Sequence, residues 1–303
     1  MAGRVVAIGE CMVELSPAGD GLLRQGFAGD TFNTAWYLRR CLPPDWQVDY
    51  LSAVGQDALS DRMLGFMAAA GVGISHIARL PQLTVGLYMI SLTDGERSFA
   101  YWRGESAARH LADDLQAVAR AVAGADMIVL SGITLAILPE DRRAALLDAI
   151  RNARAQGSKV AFDPNMRERL WPDRATLRQW IDKAAQVADI VLPSFDEESL
   201  LAGDATPEAT LQRYLGLGVP TVVVKNGAAE VLAWHGTPHR FAPKQRNAVD
   251  TTAAGDSFNA GFLAAWLRGQ NMAACLAAGA DLAGQVIAQP GALVEATLPD
   301  KTT

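Results

Sequence analysis

Short apolar runs alternate with longer amphipathic stretches along most of the chain. The short runs are rich in β-branched residues and predict buried strands over residues 5–8, 48–54, 127–130, 160–162, 190–192 and 221–224. The longer stretches carry apolar residues at helical spacing and predict helices over residues 60–70, 139–155, 175–187 and 207–215. This alternation favours a mostly parallel, doubly wound α/β sheet with helices on both faces, in which ligands bind beyond the carboxyl ends of the strands.

Two regions depart from the alternation. Residues 12–27 are rich in glycine and short alternating runs, and residues 84–102 place two apolar, partly aromatic runs around Asp94-Gly95. An Asp-Gly pair between such runs predicts a β-hairpin. Both regions therefore predict strands of a second, smaller sheet.

One stretch near the carboxyl end predicts a turn that opens a helix: Asp250-Thr251-Thr252-Ala253-Ala254-Gly255-Asp256-Ser257-Phe258. The first N–H groups of a helix lack intrahelical acceptors and carry partial positive charge, so a phosphoryl group is favoured there. Asp256 is expected to stay ionised at this helix start and to accept a proton from an attacking hydroxyl. A helix cap combined with a tight turn would also account for the stretch.

Composition and charge narrow the classes of protein. The chain has 303 residues, half of them hydrophobic, which predicts a large core in one large or two modest domains. A formal net charge of -6 without a Lys/Arg run argues against a nucleic-acid or membrane-surface partner. The three cysteines lack C-x-x-C spacing and no apolar run reaches the length of a membrane span, so we expect a cytoplasmic protein. His235 and His239 are expected in a surface loop rather than at a metal.

Known nucleotide-binding motifs other than the helix start are missing from the sequence. There is no G-x-x-x-x-G-K-[ST], no H-R-D with D-F-G, and no G-x-G-x-x-G after the first predicted strand. A P-loop or dinucleotide-binding fold is therefore disfavoured.

A second motif, Phe27-Ala28-Gly29-Asp30-Thr31-Phe32-Asn33-Thr34-Ala35, places an acid and an amide around another helix start. Asp30 and Asn33 are side chains suited to sugar hydroxyls, although a simple helix cap would explain Asp30 equally well. The two motifs together, in this order, resemble the two signatures of the ribokinase-like (PfkB) carbohydrate kinases. The resemblance extends from Gly9-Glu10 to Gly261.

Several properties are implied by this resemblance. The fold would be ribokinase-like, with residues 1–303 in a single kinase domain and a discontinuous β lid, from about residues 12–28 and 84–103, over the sugar site. The lid sheet would often serve as the surface of a homo-oligomer. Asp256 would be the catalytic base, and the backbone amides of Ala253, Ala254 and Gly255 would form an anion hole.

The G-D-T-x-N form of the first motif resembles the 2-keto-3-deoxygluconate kinases of the family. The resemblance implies that the ketodeoxy acid is bound by Gly29, Asp30, Asn33, Tyr88, Tyr101, Arg103 and Arg167. Guanidinium groups suit a substrate carboxylate and would have no purpose for a neutral sugar. Either arginine could instead pair with a protein carboxylate.

The resemblance also implies ATP and Mg²⁺ as cofactors. The residues at the nucleotide would be Asn165, Ser194, Lys225, Gly227 and Gly255. Lys225-Asn226-Gly227 resembles the K-x-G element beside ATP, and Ser194 stands where the family's N-x-x-E segment has Asn. Glu197 keeps the spacing of the acid that acts on Mg²⁺ through water. A requirement for a monovalent cation near the anion hole is left open.

The expected reaction is phosphorylation of 2-keto-3-deoxy-D-gluconate at O6, with a small sugar acid and ATP as partners. A fructokinase, a 5-keto-2-deoxygluconate kinase and a non-catalytic sugar sensor on the same fold are the alternatives. The sequence does not distinguish this sugar acid from its C4 epimer, 2-keto-3-deoxygalactonate, as the substrate.

Overall fold

The computed structural model describes residues 3–93 and 96–297. The strands in this part of the chain are β1 (Arg4–Ile8), β2 (Met12–Gly19), β3 (Leu22–Ala28), β4 (Gln47–Val54), β5 (Ile77–Arg79), β6 (Leu87–Thr93), β7 (Glu96–Trp102), β8 (Met127–Ser131), β9 (Lys159–Asp163), β10 (Ile190–Val191), β11 (Thr221–Val224), β12 (Val231–His235) and β13 (Thr237–Phe241). The α-helices are α1 (Asp30–Cys41), α2 (Ala58–Ala69), α3 (Leu115–Val122), α4 (Gly132–Ala136), α5 (Glu140–Ala155), α6 (Arg174–Val187), α7 (Phe195–Leu201), α8 (Pro207–Gly216), α9 (Ala254–Leu267) and α10 (Met272–Val286).

The larger sheet has the order β13-β12-β11-β10-β9-β8-β1-β4-β5. Its neighbours from β11 to β5 pair in parallel, and β12 and β13 are antiparallel at one edge. Successive side chains of β1 enter two different cores: Val6 and Ile8 join one apolar cluster, and Val5 and Ala7 the other. A sheet buried on both faces needs apolar residues at every position, which is why its strands appear as continuous apolar runs. The predicted α/β fold class is confirmed.

Each strand and helix predicted for this part overlaps one that the structure contains. Our prediction for His235 and His239 was wrong, because they lie in β12 and β13 rather than in a loop. Gly236 and Pro238, which suggested a loop, fit this hairpin: Gly236 turns the chain at a φ of 69°, and Pro238 lies in an edge strand. An edge strand tolerates proline because one of its sides needs no N–H donors.

The smaller sheet has the order β3-β2-β6-β7, so both regions that broke the alternation contribute strands to one separate sheet. β6 and β7 form the expected hairpin, with Tyr88 opposite Tyr101; its Asp94-Gly95 turn lies outside the described residues. Residues two apart on a strand share a face, so Arg103, just past β7, continues the face that carries Tyr101.

The smaller sheet joins the larger one around Glu10, which follows β1. A Cβ added to Gly29 would lie 2.1 Å from the Glu10 carbonyl oxygen, and one added to Gly86 would lie 2.6 Å from Glu10 Oε1. Glycine is required at both positions by this close approach. The site described next lies between the two sheets.

Within residues 3–93 and 96–297, no helix combines the length and the apolar character needed to cross a membrane.

Candidate active site

A cleft of about 720 Å³ lies between the smaller sheet and the carboxyl ends of the strands of the larger sheet. The predicted site residues that line it are Gly29, Asp30, Asn33, Tyr88, Tyr101, Arg103, Asn165, Arg167, Ser194, Glu197, Lys225, Ala253, Ala254, Gly255 and Asp256. Gly227 does not line it; this residue lies exposed in the turn after β11, at a φ of 55°.

The first turn of α9 forms one wall of the cleft. Its N-cap is Ala253, in the left-handed region at a φ of 60°, which is unusual for a residue other than glycine and is a form of strain found at functional sites. The Ala254 N–H donates to the Thr251 carbonyl at 3.2 Å. Among the described residues, the N–H groups of Ala253, Gly255 and Asp256 have no such acceptor. The turn therefore presents backbone donors to the cleft, as an anion site requires.

Asp256 lies at the start of α9, where its carboxylate accepts a hydrogen bond from Asn33 Nδ2 at 2.8 Å. Burial raises the pKa of Asp256 to about 7, with the negative charges of Asp30 and Asp163 acting in the same direction. The Asn33 hydrogen bond and the Lys225 charge oppose this rise in pKa without cancelling it. Our expectation that the helix start keeps Asp256 ionised is therefore corrected, because desolvation outweighs the helix dipole here. A carboxyl group with a pKa near neutrality is well suited to general base catalysis.

Lys225 follows β11 and reaches towards the same turn. Its Nζ donates to Asp163 Oδ2 at 2.7 Å and to Asn259 Oδ1 at 3.2 Å. A Cβ added to Gly255 would lie 3.4 Å from this ammonium group. Lys225 is buried, and we had assigned it only to the nucleotide. Its position shows that it also lies beside the start of α9.

Asp163 and Asn259 were not among the predicted site residues. Asp163 ends β9, and its carboxylate also accepts from the Asn259 amide at 2.6 Å. An acid at the carboxyl end of a parallel strand was a signal that the sequence contained. Asn259 lies one helical turn after Asp256 in a helix that reads as apolar, and only the fold brings it to Asp163.

Asn165 connects the end of β9 to α1. Its backbone N–H donates to Asp163 Oδ1 at 3.0 Å, and its side-chain amide donates to Asp30 Oδ2 at 2.8 Å. Asn165 has a φ of 32°, a conformation that asparagine tolerates better than most residues. The residue predicted at the nucleotide is thus in contact with a residue predicted at the sugar.

Arg103 and Arg167 both pair with carboxylates of the protein. Arg103 is 10 % exposed and pairs with the fully buried Glu10, whose pKa is raised by burial. Arg167 is 40 % exposed and pairs with Glu197. A guanidinium group has five N–H donors, so each arginine keeps donors for a ligand after one ion pair. Neither pair offers net positive charge to a ligand, because each pair is neutral overall.

The smaller sheet presents an aromatic surface to the cleft. The rings of Tyr88 and Tyr101 are stacked at 5.8 Å between centroids, and the Tyr88 hydroxyl donates to Glu14. Arg169, which we had not predicted at the site, also lines the cleft and places its guanidinium 4.0 Å from the centre of the Tyr101 ring. It lies in a 3-10 turn, Glu168–Leu170, two residues after the Arg167 that the motif indicated.

Ser194 and Glu197 lie at the start of α7, next to Lys225. Lys225 N–H donates to the Pro193 carbonyl at 2.8 Å, and the Phe195 N–H donates to the Lys225 carbonyl at 2.8 Å, so the two loops run side by side. Glu197 Oε2 accepts the Met166 N–H at 2.9 Å. In the described parts of the chain, no group of three or more His, Cys, Asp and Glu side chains is arranged to hold a metal ion by itself.

Comparison with known proteins places these features in a family. Residues 2–298 match the model of the pfkB family carbohydrate kinases. The chain is 41 % identical over 301 residues to the 2-dehydro-3-deoxygluconokinase of Dickeya dadantii (strain 3937), covering 96 % of both chains. It is 38 % identical over 300 residues to the enzyme of that name from Haemophilus influenzae, also covering 96 % of both. The crystal structure of a PfkB protein from Polaromonas sp. JS666 superimposes with a TM-score of 0.82 at 27 % identity, over 95 % of this chain and 96 % of that one.

Proposed function

The chain belongs to the pfkB family of carbohydrate kinases, and from that premise we propose that it transfers the γ-phosphoryl group of ATP to O6 of 2-keto-3-deoxy-D-gluconate. The product is 2-keto-3-deoxy-6-phosphogluconate. The observation that carries this proposal is the position of Asp256, a carboxylate with a pKa near 7, at a helix start in a cleft that arginines also line. The names of the relatives from D. dadantii and H. influenzae support the choice of substrate.

In the proposed reaction, Asp256 accepts the proton of the O6 hydroxyl as that oxygen attacks the γ-phosphorus. The bond between the γ-phosphorus and the oxygen bridging it to the β-phosphorus breaks, and ADP leaves. Asn33 orients the Asp256 carboxylate through its 2.8 Å hydrogen bond. The proton that Asp256 has taken is released to solvent after the product leaves, which a pKa of about 7 allows at neutral pH.

Negative charge on the transferring group is met by the start of α9. The N–H groups of Ala253 and Gly255 are donors for it, and the Ala254 N–H joins them if its 3.2 Å bond to Thr251 gives way. Lys225, close to Gly255, adds an ammonium group at the same place, although Asp163 already pairs with it. Donors fixed in advance around developing charge are the main source of catalysis in phosphoryl transfer.

Mg²⁺ and ATP belong to this proposal, and the residues of the cleft fit them. When bound, Mg²⁺ neutralises the phosphate oxygens of the nucleotide. Mg²⁺ usually keeps several waters and takes one or two carboxylates and phosphates as ligands, so it does not need a closed cage of protein side chains. Glu197 lines the cleft with a partly exposed carboxylate that can accept a hydrogen bond from such a water. We assign Ser194 and Lys225, which lie on adjoining loops, to the phosphates of the nucleotide.

At the sugar, we assign hydroxyl recognition to Gly29, Asp30 and Asn33 at the start of α1. Tyr88 and Tyr101 cover the sugar from the smaller sheet, which acts as a lid that excludes water from the reaction. Arg103 and Arg167 donate hydrogen bonds to the acid end of the substrate.

Two finer points complete the proposal. We also propose that a monovalent cation binds near the anion hole, beside the place where the Val249 and Asp250 N–H groups both donate to the Ile287 carbonyl; replacing K⁺ by tetramethylammonium in the assay tests this. The chain forms a homo-oligomer through the lid sheet, in which Leu22, Leu23 and Trp102 are 67 %, 46 % and 58 % exposed. Analytical ultracentrifugation of the Trp102→Glu variant tests the second point.

The experiment that tests the function is a panel of sugars in a coupled assay of ADP release. We expect the purified protein to phosphorylate 2-keto-3-deoxygluconate with a much higher kcat/KM than fructose or 5-keto-2-deoxygluconate, and mass spectrometry of the product to place the phosphate on O6. A higher kcat/KM for fructose would replace the proposal by a fructokinase. Binding of the keto acid without release of ADP would replace it by a sugar sensor.

A further inference from the structure

The charges around the cleft are unevenly balanced. Four cationic side chains line it: Arg103, Arg167, Arg169 and Lys225. Arg103, Arg167 and Lys225 each lie within ion-pair distance of a protein carboxylate, so their positive charges are largely cancelled before a ligand arrives. Arg169 differs from them. In the part of the chain that the structure describes, it has neither a hydrogen bond nor an ion pair.

Acidic side chains in the same cleft make this difference important. Asp30 and Asp256 both line the cleft, and the hydrogen-bond partners of their carboxylates are the neutral amides of Asn165 and Asn33. A sugar acid that enters therefore meets the negative charge of Asp30, to which Asp256 adds whenever it is deprotonated. Without a cation that is free of carboxylate partners, the cleft would favour a neutral sugar.

Arg169 is held in a position to supply that cation. Its guanidinium lies 4.0 Å from the centre of the Tyr101 ring, and Tyr101 is stacked on Tyr88. Tyr101 and Arg103 share one face of the smaller sheet. Arg169 belongs to the 3-10 turn after β9, and its contact with Tyr101 places it on the side of the cleft where the sugar is proposed to bind. A guanidinium group that stacks on a ring keeps its N–H donors free at its edge, where a carboxylate can bind two of them at once.

We propose that Arg169 determines the preference for acid sugars, by placing an unpaired guanidinium charge on the substrate carboxylate while it remains stacked on Tyr101. Arg103 and Arg167 contribute hydrogen-bond donors and shape, and Arg169 contributes the net charge. This inference rests on the proposed function, because it concerns how that same site selects its substrate. It goes beyond the sequence motif, which indicated Arg103 and Arg167 only.

The test compares Arg169→Met and Arg169→Lys with a matched control, Arg174→Met. Arg174 is a neighbouring exposed arginine that pairs with Glu168 and does not line the cleft. For each protein, kcat/KM is measured with the keto acid and with fructose at low and high salt. Arg169→Met should lower kcat/KM for the keto acid by roughly 10–100-fold, the equivalent of one charge-assisted hydrogen-bonded contact, and should change the value for fructose far less.

Two further readouts separate a charge effect from a packing effect. Arg169→Lys should retain part of the acid preference, because it keeps the charge but loses the paired donors and the stacking of the guanidinium. The KM of the wild type for the keto acid should rise with salt, and this dependence should be weaker in Arg169→Met, because screening acts on the charge that the variant has lost. Arg174→Met should behave as the wild type throughout.

Other results would overturn the inference. If kcat/KM fell equally for the keto acid and for fructose in Arg169→Met, Arg169 would only support Tyr101. If kcat/KM stayed at the wild-type value for both sugars, Arg169 would take no part in recognition. These results are distinguishable from failure of the proposed function, which would appear in the wild type as an inability to phosphorylate the keto acid.

Discussion

The start of α9 and the arginine-lined side of the cleft are built in different ways. Around α9, the turn, the backbone donors and Asp256 come from one continuous stretch, residues 250–258. On the arginine side, Arg103 follows the smaller sheet, Arg167 and Arg169 follow β9, and their partners come from elsewhere. A local stretch can therefore indicate phosphoryl transfer, whereas preference for a substrate depends on which charges the fold cancels.

The largest effect is expected at Asp256. Asp256→Asn keeps the size of the side chain but cannot accept the proton, so kcat should fall by ~10²–10⁴-fold. The free energy of unfolding should not fall with this substitution, because the ionised carboxylate that it removes is itself destabilising. The pKa of Asp256 is about 7 in the folded protein, above its value in the unfolded chain, so the free energy of unfolding of the wild type falls as pH rises towards about 7 and beyond it stays lowered.

Urea denaturation at pH 5 and pH 8 checks this, since Asp256→Asn should lack that fall. Turnover near the wild-type value would remove Asp256 as the base and reduce α9 to an ordinary helix start.

The second effect separates the two paired arginines. Arg103→Met leaves the fully buried Glu10 without its partner, and loss of one member of a buried pair costs about 3–5 kcal/mol of the free energy of unfolding. Arg167→Met leaves Glu197 partly exposed, so its cost should be about 1 kcal/mol or less. Both variants should raise KM for the keto acid more than for fructose.

Urea denaturation and steady-state kinetics on the two sugars are the measurements. If KM rises equally for the keto acid and for fructose in both variants, the two arginines are structural, and only Arg169 is left to explain the preference for the acid sugar.

The smallest effect is a shift in pH dependence. The kcat/KM for the keto acid should rise with pH and level off above about 7, because Asp256 must be deprotonated to act as the base. Asp163 raises the pKa of Asp256 and Lys225 lowers it. Asp163→Asn should therefore move the rise in activity to lower pH, and Lys225→Met should move it to higher pH. Identical pH profiles in the two variants would mean that Asp163 and Lys225 are not coupled to the base.

Much of the fold followed from local patterns. Continuous apolar runs marked the buried parallel strands, and the period of two marked the smaller sheet, because burial on both faces or on one face imposes these patterns directly. The hairpin of β12 and β13 was missed because Gly236 and Pro238 suit a loop as well as a tight turn beside an edge strand. The separate smaller sheet was predicted, but its packing around Glu10 depends on contacts between residues far apart in sequence.

In the candidate site, too, local motifs predicted some features and contacts between distant residues decided the others. Motifs indicated more than half of the residues that line the cleft, including Asp256 at the start of α9 and the two arginines. They did not indicate Asp163, Asn259 or Arg169, whose significance lies in their neighbours. The ionisation of Asp256 was also mispredicted, since a helix start is a local feature and burial is not.

The sequence by itself determined the α/β class, the family and the chemistry of the helix start, because each is indicated by short stretches whose patterns do not depend on contacts between distant residues. Only the tertiary structure decided which charges in the cleft are cancelled and which are free. Electrostatic interactions depend on distance and burial rather than on order along the chain. Arg167 and Arg169 are two residues apart in sequence, yet one is neutralised by Glu197 and the other lies unpaired over Tyr101.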